Sequence, residues 1–514
     1  MRRIAPAFDG YATFEVNSLA AELFIDGLTL GAMKEELENM DRLQIKKDKI
    51  VDSKGNSVRL RGPNIGGFMM MENFINGFVG SESGQRDALV EALGPTKAQF
   101  FFSRWLDHIF AEEDVRFIKD LGATVIRLPM NYRHFENDEE PFVYLEAGFE
   151  RLNRVVDWCA QYGLYVVLEL HAVQGWQNTD WHSDNDSRHT YFWTHKQFQA
   201  RFLALWQEIA RRYKDNQTVA GYGLMNEPVT NAPRGRFDSH YRPNFDIMNR
   251  IYRQGVSAIR AFDPDHIIFL EGDLFSVLFS ALEPPFAENL AYSSHNYNIS
   301  TLGSGFYPGM INDERWNRAR QLRAYREMEG TKYSEEYQVP LWISEFGSVF
   351  NGPAEEFGSR LLAMEDQIDI FETHGAHWSN WTYKDVGIMG MVYVHPESEY
   401  MEMIRSVYQM KIELHTDHWM GYARETNATR TVNQLADIVE EVVGNTDVDS
   451  VSNHRYLIQH TLTNYVATML QPLYASLFKG MSDERIDSVL SSFALKNCLP
   501  RKELLAMLTK YMAR

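Results

Sequence analysis

Apolar and polar positions follow two alternating patterns along most of the chain. Short apolar runs of strand length alternate with longer segments whose apolar residues recur every three or four positions, such as Leu152, Val155, Val156 and Cys159. The second pattern is one apolar face of a helix. Eight strand-then-helix units predict a parallel (β/α)8 barrel, an α/β fold of the TIM-barrel type. The predicted strands cover 58–65, 123–130, 164–171, 219–226, 265–271, 289–295, 339–345 and 376–383.

The barrel pattern accounts for the middle of the chain and leaves a segment at each end. We expect an N-terminal extension over 1–44, the barrel over 45–413 and an α-helical C-terminal region over 414–514. A typical barrel of this type has roughly 250 residues, so this one must carry long loops. The predicted loops are 74–110, 172–195, 228–243 and 299–338.

Two smaller features refine this division. The stretch 45–61 alternates apolar and polar residues on either side of Ser53–Asn56, which predicts a hairpin before the barrel. The stretch 455–478 is apolar but contains Pro472, and it predicts one or two buried helices. A doubly wound sheet would instead need a glycine-rich phosphate loop after its first strand, and PNIGGFMMMENF matches that fingerprint poorly.

Charge and composition narrow the possible partners. The net charge of -19 argues against a nucleic-acid partner, which requires a basic surface, and against an anionic membrane surface. A neutral sugar is compatible with this charge. The aromatic content of 13% fits either a well-filled core or platforms on which sugars stack. Cys159 and Cys498 offer neither a disulfide framework nor a zinc-ligand spacing.

Two absences in the sequence bear on where the protein works. No run of about 18 apolar residues occurs, so the sequence predicts no membrane span. The first residues, MRRIAPAFDGYATFEV, lack the apolar stretch of a signal peptide. We therefore expect a cytoplasmic protein, or an extracellular one in the case that a leader has been removed.

Two glutamates stand where predicted strands end. Glu227 closes GYGLMNEP at the fourth strand, where Pro228 cannot continue the hydrogen-bond ladder. Glu345 follows Leu-Trp-Ile-Ser at the seventh strand, so it is either buried with partners or functional. The carboxyl ends of barrel strands meet at one mouth, and retaining glycosidases need two carboxyl groups about 5–5.5 Å apart. Taken singly, either residue could be an ordinary strand-end glutamate.

Short motifs in chain order resemble the active-site positions of glycoside hydrolase family 5, the family that includes many cellulases. The resemblance covers roughly residues 45–400, and the eight positions occur in the family's order at successive predicted strand ends. Any one of these strings is weak evidence, whereas their agreement in order is specific. The positions are Arg127 in VIRLP, His171 in LELHA, Asn226 and Glu227 in MNEP, His295 and Tyr297 in SSHNYN, Glu345 in ISEFG and Trp381 in SNWTYKD.

The resemblance implies roles for the two glutamates and the residues around them. Glu345 resembles the nucleophile, which Arg127 and Tyr297 would keep ionised. Glu227 resembles the acid/base, with His295 as its hydrogen-bond partner. Because an acid must carry a proton before it donates one, the pKa of Glu227 should be raised.

The remaining positions would bind the sugar. Asn226 resembles the ligand of the sugar 2-hydroxyl, His171 a further substrate contact and Trp381 the platform under the cleaved sugar. For His171 and Trp381 taken singly, a place in the core is the alternative, and for Arg127 it is a structural salt bridge. Two carboxyl groups suffice for this chemistry, so no cofactor and no metal is implied.

Two stretches resemble the family's exo-acting β-1,3-glucanases. LRGPNIGGFMMMENF aligns Glu72 with a carboxylate that binds the terminal sugar, and HAVQGWQNTDW shares Gly175, Gln177 and Asn178. A carboxylate at the blind end of a cleft favours a pocket and exo action, while the alternative for Glu72 is a surface loop. The sequence departs from the family at Glu169, where Asp is commoner, and at Phe346, where exo-glucanases carry Trp.

The sequence therefore predicts a glycoside hydrolase that cleaves the O-glycosidic bond of a β-glucoside or β-glucan by double displacement, with exo action favoured. An endo-acting glucanase, a glycolipid glycosidase and a transglycosylase on the same barrel are the open alternatives. A barrel that binds carbohydrate without cleaving it has no need of the glutamate pair. A metal-dependent barrel lacks a clear ligand set, because His171 and His295 lie on different predicted strands.

Overall fold

Eight parallel strands form the centre of the structure, and their side chains are buried because helices and the barrel interior cover both faces. All eight overlap the predicted strands, so the predicted (β/α)8 barrel is confirmed. Numbered β1–β8 in chain order, they are Arg61–Pro63, Val125–Asn131, Tyr165–Ala172, Val219–Gly223, Ile267–Glu271, Leu290–His295, Leu341–Phe346 and His377–Asn380.

The strands close into a ring. They pair in the order β1-β8-β7-β6-β5-β4-β3-β2. Backbone hydrogen bonds join β1 to β2, with Thr124 N donating to Arg61 O at 2.9 Å and Ile65 N donating to Arg127 O at 2.9 Å. The carboxyl ends of the strands therefore meet at one mouth, where loops from different strands can bring their side chains together.

The computed structural model describes residues 40–231, 241–416, 425–443 and 454–514, so most of the predicted extension over 1–44 lies outside it. The helices of the described part follow the predicted apolar faces; Glu146–Tyr162, for example, buries Leu152, Val155, Val156 and Cys159. The longer helices are Glu82–Leu93, Pro95–Ile109, Glu112–Asp120, Glu146–Tyr162, Lys196–Tyr213, Phe245–Arg260, Arg318–Glu327, Glu329–Tyr337, Phe357–Thr373, Glu399–Leu414, Asn427–Val443, His454–Ser476, Asp483–Leu490 and Lys502–Met512.

A small apolar cluster fills the bottom of the barrel. It combines strand residues such as Val125, Val167 and Trp342 with Leu43 and Ile50 from the segment before β1. That segment forms a hairpin, but its strands are Gln44–Lys46 and Lys49–Val51. The predicted turn at Ser53–Asn56 is confirmed as a second reversal directly after this pair, where Asp52 N donates to Asn56 O and Val58 N donates to Ile50 O, each at 2.9 Å. The earlier reversal between Lys46 and Lys49 was not predicted.

Two predicted loops contain helices. The segment 74–110 holds Glu82–Leu93 and Pro95–Ile109, and the segment 299–338 holds Arg318–Glu327 and Glu329–Tyr337. The first pair has Ser81 as an N-cap and Pro95 at the start of the second helix, two local signals that favour helix over loop. Residues 232–240 of the predicted loop 228–243 lie outside the described residues.

The helix Glu399–Leu414 packs against the segment that follows β1. Tyr400 Oη donates to Asn76 O at 2.7 Å, and Lys411 Nζ donates to Asn73 O and Phe78 O, each at 2.6 Å. The predicted buried helices over 455–478 are a single helix, His454–Ser476, and its burial was overestimated, since several of its apolar side chains are exposed. Within the described residues, the helices are too short or too polar to span a bilayer.

Candidate active site

Glu227 and Glu345 face each other at the mouth of the barrel. Glu345 lies in β7 and pairs in register with His295 of β6, while Glu227 follows β4. One carboxyl oxygen of each glutamate and one ring nitrogen of His295 lie within 4.8 Å of one another. This spacing is close to the roughly 5–5.5 Å that separates the carboxyl groups of retaining glycosidases.

Glu345 is held by two donors that keep their protons. Arg127 Nη1 donates to Oε1 at 2.6 Å, and the Tyr297 hydroxyl donates to Oε2 at 2.9 Å. Burial raises the pKa of Tyr297 well above its ordinary value, and the charge of Glu345 adds to this effect. Burial opposes the charge on Arg127, but the neighbouring carboxylates outweigh it and raise its pKa further. Both groups therefore offer Glu345 hydrogen bonds that persist at neutral pH.

Glu227 is held by two histidines. His295 Nδ1 lies 2.7 Å from Oε1, and His182 Nε2 lies 2.8 Å from Oε2. The backbone N–H of Glu227 donates to Glu271 Oε2 at 2.7 Å, and Asn178 Nδ2 donates to the Glu227 carbonyl at 3.0 Å. These bonds hold Glu227 at a φ of 46°, a left-handed conformation that non-glycine residues adopt rarely and that occurs most often at functional sites.

The histidines set the charge of Glu227. Burial acts to raise its pKa, but the hydrogen bonds and charges of His182 and then His295 outweigh burial and hold the pKa well below its ordinary range. The raised pKa that we expected for a proton donor is therefore wrong for the free protein. Burial likewise opposes a charge on His295, yet Glu345, Glu271 and Glu227 raise its pKa well above its ordinary value.

Arg127 has a partner at every nitrogen. Beyond Glu345, its Nη1 donates to Asn64 Oδ1 at 2.9 Å, and its Nη2 donates to Asn226 Oδ1 at 2.7 Å. Its Nε is in direct contact with Glu169. Burial raises the pKa of Glu169 to about 8, with the charge of Arg127 opposing this shift.

His171, Trp381 and Glu72 form the opposite wall. The rings of His171 and Trp381 stack with centroids 5.4 Å apart, and His171 Nε2 lies 4.0 Å from Glu72 Oε1. Burial lowers the pKa of His171 well below its ordinary value, so the ring is neutral. Its Nε2 accepts a hydrogen bond from Asn226 Nδ2 at 3.1 Å, which fixes the ring against the indole.

A pocket lies between these groups. Six of the predicted site residues line it, and Glu72 is buried at the pocket, which excludes the alternative of a surface loop. Arg127, Asn226 and His295 stand behind the lining and hold it through the hydrogen bonds above. The lining is Glu72, Phe74, His171, Asp180, Trp181, His182, Glu227, Tyr297, Glu345 and Trp381.

Sequence reasoning missed Glu271 and His182. Glu271 ends the predicted fifth strand directly before Gly272, so its position at the mouth was a usable signal. His182 lies in the predicted loop 172–195, seven residues beyond Gly175. Nothing in the sequence of that loop indicated that the His182 ring reaches Glu227. Strand-end position identifies residues such as Glu271, whereas loop residues need the folded path of the loop.

Gln177 and Asn178 bind this loop to the segment that carries Glu227. Gln177 Nε2 donates to His171 O at 2.6 Å and to Asn226 O at 2.9 Å. Asn178 Nδ2 lies 2.9 Å from His182 Nε2 in addition to its bond to Glu227 O. The two amides therefore position His182 relative to the end of β4, although both had been noted only through a resemblance in the loop.

Comparisons with known proteins identify the family of the chain. Residues 91–387 match the family model described as cellulase, glycosyl hydrolase family 5. A "Beta-xylosidase" of Phanerodontia chrysosporium is 36% identical over 485 residues, which cover 91% of this chain and 98% of that protein. "Cellodextrinase A" of Ruminococcus flavefaciens is 29% identical over 55% of this chain and 81% of that protein.

Two further similarities are more distant. A "Probable glucan 1,3-beta-glucosidase A" of Aspergillus clavatus is 26% identical over 47% of this chain and 56% of that protein. The crystal structure of an endoglucanase from Thermotoga maritima aligns with a TM-score of 0.45 and 20% identity, covering 63% of this chain and 89% of that chain.

Proposed function

Because the chain belongs to glycoside hydrolase family 5, we propose that it is a retaining, exo-acting β-glycosidase that removes a terminal sugar from small β-glucosides. That it is a glycoside hydrolase follows from the family and its curated glycosidase relatives. The observation that supports the finer proposal is the pair Glu227 and Glu345, close together in one pocket and held by different kinds of partner.

In the first half-reaction, a Glu345 oxygen bonds to the anomeric carbon while the bond from that carbon to the leaving oxygen breaks. Glu227 gives its proton to the leaving oxygen, so the aglycone departs as an alcohol and Glu227 is left as a carboxylate. Arg127 and Tyr297 disperse the charge of Glu345 before attack, and both release part of that interaction as the ester forms.

In the second half-reaction, Glu227 takes a proton from water as the water oxygen bonds to the anomeric carbon and the ester to Glu345 breaks. The sugar leaves with the configuration that it had in the substrate. Glu227 ends protonated and Glu345 ionised, so the cycle closes. In this scheme Asn226 binds the sugar 2-hydroxyl and Trp381 lies under the ring.

Glu72 supports exo action. Its carboxyl group is buried, lies 4.0 Å from His171 and lines the same pocket as the catalytic pair. A buried carboxylate beside the sugar site can accept hydrogen bonds from two sugar hydroxyls, and Phe74 lines the same end of the pocket. The relative named as a β-xylosidase favours small β-xylosides as a second candidate substrate.

The test is hydrolysis of a panel of aryl β-glycosides, including the glucoside, xyloside, galactoside and mannoside. We expect wild type to cleave one or two of them, and Glu227→Ala and Glu345→Ala to lose at least about 10³-fold in rate. Glu288→Ala, an exposed glutamate remote from the pocket, is the matched control and should retain full activity.

Azide separates the two roles. With Glu227→Ala it should restore turnover and give a β-glycosyl azide, and with Glu345→Ala it should give the α-glycosyl azide. The reverse pattern would exchange the two roles. Cleavage of long glucans with no release of single sugars would contradict exo action, and transfer to an added alcohol in preference to water would indicate a transglycosylase.

A further inference from the structure

His182 has no assigned role, yet it touches the residue to which we assign acid/base catalysis. Its side chain lines the pocket, and its Nε2 lies 2.8 Å from Glu227 Oε2. The ring lies between His171 and Phe275, with centroids 5.7 Å and 6.1 Å away. It is therefore placed between the wall that would hold the sugar and the turn that follows β5.

The two oxygens of Glu227 have different partners, and this decides which of them can carry the proton. Oε1 is 2.7 Å from His295 Nδ1, and that ring also has Glu345 Oε2 at 3.6 Å and Glu271 Oε1 at 3.5 Å. A histidine among three carboxyl groups keeps its proton, so Oε1 always accepts a hydrogen bond. The exchangeable proton of Glu227 therefore resides on Oε2, beside His182.

The contact between His182 and Oε2 suits both protonation states of Glu227. When Oε2 carries the proton, a neutral ring can accept it as a hydrogen bond at Nε2, a nitrogen that also lies 2.9 Å from Asn178 Nδ2. When Oε2 is ionised, a protonated Nε2 can donate to it. Asn178 Oδ1 accepts from Asp180 N at 3.0 Å, which fixes the orientation of this amide.

We propose that His182 is a positioning residue for proton donation, one that holds Glu227 Oε2 where the leaving oxygen of the substrate meets it. This inference rests on the proposed function. The proton on Oε2 passes to the leaving oxygen as the bond from the anomeric carbon to that oxygen breaks, and the electron pair of that bond stays on the leaving oxygen. In the second half-reaction a proton from water returns to Oε2.

The test compares two leaving groups on the sugar that wild type accepts best. A phenyl glycoside needs protonation of its leaving oxygen, whereas a dinitrophenyl glycoside departs without it. We expect His182→Leu to lower kcat/KM for the phenyl glycoside by roughly 10-fold to 100-fold and for the dinitrophenyl glycoside by less than about 3-fold. His182→Gln, whose amide reaches a similar position, should recover part of the loss. His189→Leu, an exposed histidine of the same loop, should match wild type for both.

The outcomes separate the inference from the function on which it rests. An equal loss on both glycosides, or no loss in His182→Leu, would overturn the role of His182 while leaving the glycosidase intact. A thermal unfolding midpoint for His182→Gln close to wild type, with the selective loss still present, would support positioning over a general effect on folding. An inactive wild type would overturn both proposals.

Discussion

The two glutamates of the pocket differ in what holds them. Glu345 is bonded to an arginine and a tyrosine, which keep their protons throughout the pH range in which proteins work. Glu227 is bonded to two histidines, a residue type whose ordinary pKa lies near neutrality. Permanent donors suit a group that must stay ionised, whereas the pocket-facing nitrogen of His182, which can accept or donate a hydrogen bond, suits a group that must gain and lose a proton.

The same comparison bears on the acid role that we propose for Glu227, whose pKa is low in the free protein. Its low pKa depends on hydrogen bonds from His182 and His295, and the first of these faces the pocket that substrate would fill. A bound sugar excludes water and changes the partners of Oε2, both of which favour the protonated form. Arg127, by contrast, contacts Glu345 from behind the pocket lining.

The largest effect should come from Arg127→Met. Removing this guanidinium leaves Glu345 without its cation and leaves Asn226 without a donor, so we expect kcat/KM to fall by about 10³-fold or more. Breaking a buried ion pair also destabilises a fold by about 3–5 kcal/mol, which thermal unfolding would detect. Arg212→Met removes a largely surface ion pair and serves as the control. Near-normal activity in Arg127→Met would mean that Glu345 does not depend on its cationic partner, which contradicts the difference that we draw between the two glutamates.

The second effect should come from His295→Asn, which keeps a donor near Glu227 and removes the charge. We expect roughly a 10²-fold loss in kcat/KM for poor leaving groups. Because the pKa of His295 is raised in the fold, its stabilising contribution is complete below pH 6.5, the ordinary histidine value, and is lost as pH rises through the raised pKa.

Thermal unfolding between pH 5.5 and 9 measures this contribution. The unfolding midpoint of wild type should exceed that of His295→Asn most at the acid end, and the gap should narrow as pH rises. The pKa of Glu227 is lowered in the fold, so its contribution to stability has the opposite pH dependence. That contribution is complete above about pH 4.5 and is lost as pH falls further, so measurements between pH 5.5 and 9 do not include the change. A gap that widens with pH would show that His295 is neutral in the fold.

Sequence patterns predicted the barrel and most of the pocket for one physical reason. Parallel strands buried on both faces appear as apolar runs, and polar residues inside them or near their carboxyl ends stand out, as Arg127, His295 and Glu345 do. The order of these polar residues along the chain, which matches the order of the family's site positions, identified the other predicted pocket residues. Helix positions within the long segments 74–110 and 299–338 were missed, because their caps are weaker signals than strand periodicity.

What the sequence could not indicate was which partner sits on which oxygen. His182 reaches Glu227 only because Gln177 and Asn178 fold the loop back onto the end of β4. The low pKa of Glu227 follows from that contact, and so the expected raised value was wrong. Distances between groups on different loops decide the charge of a buried carboxyl, and periodicity carries no information about them.

The third prediction concerns Tyr297→Phe, which removes one neutral donor from Glu345 and leaves Arg127 in place. A hydrogen bond to a charged group contributes about 1.5–3 kcal/mol, so we expect a loss of roughly 10-fold to 100-fold in kcat/KM. The loss should be similar for phenyl and dinitrophenyl glycosides, since it acts on the nucleophile. A loss confined to the phenyl glycoside would assign Tyr297 to the acid side.

The smallest effect should come from Lys411→Met, which alters neither glutamate. Lys411 is buried and donates to Asn73 O and Phe78 O. These bonds fix the short segment that contains the pocket residues Glu72 and Phe74. Two carbonyls left without this donor should lower the unfolding midpoint and raise KM about 2-fold to 5-fold, with kcat nearly unchanged. Lys510→Met, at an exposed ion pair with Glu365, is the control. A fall in kcat with unchanged KM would mean that the helix Glu399–Leu414 affects the catalytic pair. Glu227 and Glu345 would then depend on a common structural support in addition to their separate hydrogen-bond partners.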